Sequence, residues 1–78
     1  MSTHSSMSEV LYDTIKEHPE LTAVLIGLWV DSACVYGVGI KDQINVLGVV
    51  EKWLNNNVRL RKAAATVRHV RIEAEKDL

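Results

Sequence analysis

Few side chains in this sequence have types and surroundings suited to chemistry, and Asp31 is foremost among them. It is the single acid within the run LTAVLIGLWVDSACVYGVGI, residues 21 to 40. Set among Leu28, Trp29, Val30, Ala33 and Val35, a carboxylate there must be neutralised, paired or in reach of water. Asp31 is therefore the buried-charge candidate. In a bilayer it would line an oligomer or a small aqueous path, and at a turn or the opening of a bundle it would cap a segment or simply meet water. The only cysteine, Cys34, lies in the same run, which excludes an intramolecular disulfide and a cysteine-based metal cluster and fits a reduced, cytosol-facing thiol.

The second group is cationic. Arg59, Arg61, Lys62, Arg68 and Arg71 fall between residues 58 and 71 with no acid among them, a local charge of +5. Residues 1 to 20 hold Glu9, Asp13, Glu17 and Glu20 against Lys16, a local charge of -3, so the overall charge of -1 conceals a segregation along the chain. The five cations are anion-binding candidates, for nucleic-acid phosphates or anionic headgroups. No aromatic residue interleaves with them to stack on bases, so any nucleic-acid binding would be independent of sequence. His4, His18 and His69 are scattered, without a partner at ligand spacing, and imply no metal site. No glycine-rich phosphate loop, nucleophile elbow or carboxylate pair with a catalytic partner is present. The expectation is a chain that is not an enzyme, with no cofactor and no small-molecule substrate.

These residues depend on the elements that carry them. Met1 to Ser5 is polar and aperiodic and reads as a flexible arm, followed by one helical domain over residues 6 to 78. Ser6-Met7-Ser8-Glu9 has the form of a capping box, and Met7, Val10, Leu11 and Ile15 then recur at helical spacing. His18-Pro19 marks a bend. The 21 to 40 run reads as one long helix, apolar on every side, which needs either lipid or the centre of a protein assembly around it. Its β-branched residues allow an alternative, a β-hairpin over residues 22 to 40 turning at Asp31-Ser32, against which stand the glycines at 27, 37 and 39. Asp42 reads as the N-cap of a helix through Ile44, Val46, Leu47, Val49, Val50, Trp53 and Leu54. Asn55-Asn56-Asn57 predicts a turn or kink. Beyond it, Leu60, Ala63, Val67, Val70 and Ala74 alternate spacings of three and four, the pattern of a seam that meets another helix.

The fold expected is all-α, with short helices around a long apolar central helix, completed by oligomerisation. Seventy-eight residues support one domain at most and a thin core, so partners should supply the cover. The residues expected to pack or to join copies are Leu25, Leu28, Trp29, Ala33, Gly37, Leu47, Val50, Trp53, Leu54, Leu60, Val67 and Val70. Ala33 and Gly37, four apart, would let two helices approach closely.

The function this implies is a structural or interaction subunit of a homo-oligomer or larger assembly, cytoplasmic or otherwise intracellular; no signal peptide is visible at the start. The alternative is a single-pass membrane protein of pore-forming, lysis or complex-stabilising type, spanning residues 21 to 40. The excess of Lys and Arg after the run would place its C-terminus in the cytoplasm, at an insertion cost of about 2.5 to 3.5 kcal/mol for Asp31. A third reading is sequence-independent nucleic-acid binding through the 58 to 71 basic helix.

Overall fold

The computed structural model describes residues 3–78, with side chains from residue 7 onward. Four α-helices occur in chain order: α1 (Thr3–Glu17), α2 (Thr22–Val35), α3 (Ile40–Asn55) and α4 (Arg61–Glu75). Single 3-10 turns, Pro19–Leu21 and Val58–Leu60, lead into α2 and α4. No strand occurs among the described residues, so the hairpin alternative for 22 to 40 is corrected to helix. The helix α1 starts ahead of Ser6; the expected arm lies partly outside the described residues, and the Ser6 side chain of the expected capping box lies wholly outside them.

The main departure from expectation is in residues 21 to 40, which are not one helix. The chain leaves helical geometry at Tyr36, and Gly37 takes φ +76°, a left-handed conformation that costs a side-chain-bearing residue about 1 to 2 kcal/mol. Around it the Val38 N–H donates to Ala33 O at 2.8 Å and the Gly37 N–H donates to Cys34 O at 3.2 Å, the paired bonds of a Schellman stop. Gly39, extended at ψ 155°, then caps α3, so the N-cap expected at Asp42 moves back to Gly39 and Asp42 sits in the first turn. Gln43 fastens this corner. Buried at its start of α3, it donates from Nε2 to Val38 O at 2.9 Å, with Cys34 Sγ 3.8 Å away. The long central helix is thus replaced by two shorter ones set at a corner. Among the described residues no helix is long and apolar enough to cross a membrane, which removes the span proposed for 21 to 40.

The helices form a ring in which α3 packs on α4 and α1, and α2 packs on α4 and α1. The ring's centre holds Leu11 and Ile15 from α1, Ile26 from α2, Leu47, Val50 and Leu54 from α3, and Leu60, Ala63, Ala64 and Val67 from the C-terminal part. The seam of α4 therefore closes inward on its own chain. Val10, expected on the inner stripe of α1, faces out instead. Tyr12 of α1 meets Trp53 of α3 edge to face, centroids 5.5 Å apart. At Asn55 the helix α3 ends where the asparagine run predicts a turn, and Asn57 Oδ1 accepts from the Arg59 N–H at 3.0 Å to start the next segment. The radius of gyration, 11.6 Å, equals the ~11.5 Å of a compact domain of this length, so the chain closes a core by itself.

Candidate interaction surface

Helix α2 is apolar around its whole circumference yet has neighbours on one side only. Its inner side buries Thr22, Ile26 and Ala33 and half-buries Leu25, Trp29 and Val30 against the core. Thr22 is satisfied there because its Oγ1 donates to Pro19 O at 2.6 Å. The outer side is left uncovered: Leu21 is 45% exposed, Val24 59%, Leu28 61% and Val35 82%, with Tyr36 at 85% just past the end of the helix. Leu21, Leu28 and Val35 stand seven residues apart with Val24 between them, the spacing of a coiled-coil row. Beside this row, Ala23, Gly27 and Cys34 are exposed and small, and nothing lies within 4 Å of where a side chain at Gly27 would begin. A patch of this size on a small protein marks an interaction site more often than chance.

Asp31 lies on this outer side and is exposed, so the buried-charge reading is corrected and the reading in which it meets water is the one that fits: it is the lone charge on α2. Of the residues expected to pack or join copies, Ala33, Leu47, Val50, Leu54, Leu60 and Val67 are buried in the chain's own core, Leu25, Trp29 and Val70 are half-buried against it, and Trp53 is half-buried beside Tyr12. Only Leu28 and Gly37 are exposed, and Gly37 acts as a helix stop. Sequence reasoning missed Leu21, Val24, Val35 and Tyr36. The seven-residue repeat at 21, 28 and 35 was the available signal, hidden in a run where every position is apolar.

The five cations do not act as a set. Arg71 turns inward across α3: its Nε donates to Glu51 Oε1 at 3.0 Å, its Nη1 pairs with Glu75, and its stem lies over Gly48. The hydrogen bond to Glu51 leads the causes that raise the Arg71 pKa, against a smaller opposing effect of desolvation. Arg59, Arg61, Lys62 and Arg68 are exposed and make no ion pair among the described residues. Arg59 and Lys62 line an open groove of about 470 Å³ with Glu20 on its opposite wall, an acid that competes with any incoming anion. A second groove, about 480 Å³, opens between α1 and α3 and is lined by Met7, Val38, Val46 and Val49 with Ser8, Asp42 and Asn45.

His18 and His69 are exposed and far apart in the chain, and the His4 side chain lies outside the described residues. No three His, Cys, Asp or Glu side chains converge as a metal site among the described residues. No protein-family profile, characterised protein or solved structure matches the chain.

Proposed function

We propose that this chain is a non-enzymatic helical subunit that works by association, as a structural or interaction component of a homo-oligomer, with the outer side of α2 as its contact surface. The observation that carries this reading is the uncovered row Val24, Leu28 and Val35, continued by Leu21 in the turn just before, on a helix whose opposite side is already committed to the core. Burying a large apolar side chain fully contributes about 1.5 to 3 kcal/mol, so four such groups left in water represent a substantial driving force toward a partner. A larger assembly containing other chains would use the same surface. The exposed, unpaired thiol of Cys34 suits a reducing, intracellular compartment.

The double variant Val24→Glu/Leu28→Glu tests this. Both residues face solvent in the single chain, so helical circular dichroism and the melting curve at high dilution should match the wild type, while the oligomer seen by light scattering at high concentration should be lost. An unchanged oligomer in the double variant would reject α2 as the contact surface.

A second reading rests on Arg59, Arg61, Lys62 and Arg68, four exposed cations that form no ion pair among the described residues, as a phosphate-binding face for sequence-independent contact with nucleic acid. Binding to arbitrary duplex DNA that falls steeply between low and moderate salt, and that Lys62→Glu/Arg68→Glu abolishes, supports it. Absence of binding at low salt removes it.

A further inference from the structure

We infer that two copies of this chain pair through α2 in antiparallel orientation, in register about Leu28. The inference rests on the self-association reading above and adds the partner's orientation to it.

The uncovered area argues for a second copy. With the exposures of Leu21, Val24, Leu28, Val35 and Tyr36, these five residues present roughly 600 Å², three quarters of the ~800 Å² that each partner gives to a standard stable interface. The row is also self-complementary. Leu21 and Val35 stand seven residues either side of Leu28, and Val24 and Ser32 stand four either side. Turned end for end about Leu28, the row therefore meets itself: Leu28 against Leu28 of the second copy, Leu21 against Val35, Val24 against Ser32. An isologous contact of this kind closes with two copies and leaves no open edge.

Asp31 sets the orientation. In a parallel pair each residue of the row opposes its own copy, so two carboxylates would face each other inside the apolar strip, adding repulsion to the cost of desolvation. In the antiparallel pair about Leu28, each Asp31 lies three residues from the centre on opposite sides. At 1.5 Å rise per residue the two are ~9 Å apart along the axis, about one screening length at physiological salt. Asp31 stays within the strip in both arrangements, seven residues from Val24, so what the antiparallel pair removes is the repulsion between the two carboxylates.

The test uses two single-cysteine chains in a Cys34→Ser background, Leu21→Cys and Val35→Cys, at positions already exposed. Each is oxidised mildly alone and as an equimolar mixture. The antiparallel pair predicts a disulfide-linked dimer in the mixture, joining one chain of each kind, at least tenfold more abundant than in either chain alone, where like positions are ~21 Å apart along the axis. Cross-linking of Leu21→Cys with itself as readily as in the mixture would show a parallel pair and overturn the inference. Leu28→Cys cross-links with itself in either orientation, so its failure in a chain that is still dimeric by light scattering would show another contact face. Both results leave self-association standing. A wild-type chain that stays monomeric at every concentration removes the self-association reading and this inference together.

Discussion

Ile26 and Leu28 are two residues apart on α2, nearly equal in size, and opposite in what they touch. Ile26 is fully enclosed by the core, whereas Leu28 is 61% exposed. Truncating a buried isoleucine to alanine costs about 2 to 5 kcal/mol. A chain of this length is stable by roughly 4 to 12 kcal/mol, so Ile26→Ala removes a large share. A mid-range loss of ~3 kcal/mol lowers the melting temperature by about 12 to 24 °C. Leu28→Ala should leave the dilute chain within about 0.5 kcal/mol of wild type, as expected of a surface change. Its cost should appear on association instead. Covering the exposed part of one leucine contributes ~1 to 2 kcal/mol, or ~2 to 4 kcal/mol for the two copies in a dimer, which weakens the dimer about 30- to 700-fold. Unfolding followed by circular dichroism at two widely separated concentrations, with sedimentation for association, separates the two effects. A loss for Leu28→Ala at high dilution as large as that for Ile26→Ala would refute the division of α2 into a committed side and a free side.

Three further outcomes follow from the geometry. Gly37→Ala must hold φ +76° with a side chain, and should lower the unfolding free energy, read by urea titration, by about 1 to 2 kcal/mol while leaving helix content unchanged. Glu51→Gln should cost about 1 to 2 kcal/mol by urea titration, because it weakens the bridge from α3 to Arg71. The raised Arg71 pKa means this contribution is fully present below the ordinary arginine value and fades only as pH rises through the raised one. The cost of Glu51→Gln should therefore be constant across neutral and mildly alkaline pH. Asp31→Leu extends the apolar row without touching the core, and should tighten self-association at least tenfold by sedimentation with the melting curve of the dilute chain unmoved.

Much of the architecture was legible in the residues. The all-α class, the bend at Pro19, the turn at Asn55 to Asn57 and the seam from Leu60 to Ala74 all follow from periodicity and turn chemistry, because each segment has a polar side to contrast with its apolar one. The 21 to 40 run lacks that contrast. With apolar residues at nearly every position, the sequence cannot reveal which side of the helix is committed, and length suggested a single span where Gly37 and Gly39 stop α2 and start α3. The same uniformity left Asp31 open to both a buried and a water-facing reading. Arg71 looked free for anions because its partner Glu51 lies on another helix, twenty residues earlier, at a distance only the folded chain closes. The seam of α4 looked available for a second chain because its natural partner, α3, is a hairpin away in the same chain.

Helix α2 has one sheltered side and one side still to be covered. Sedimentation equilibrium of the wild-type chain from micromolar to millimolar concentration, in buffer without detergent, tests this most directly. The expected result is a reversible rise from the 8.7 kDa monomer to twice that mass. A mass fixed at the monomer value throughout the range would contradict it.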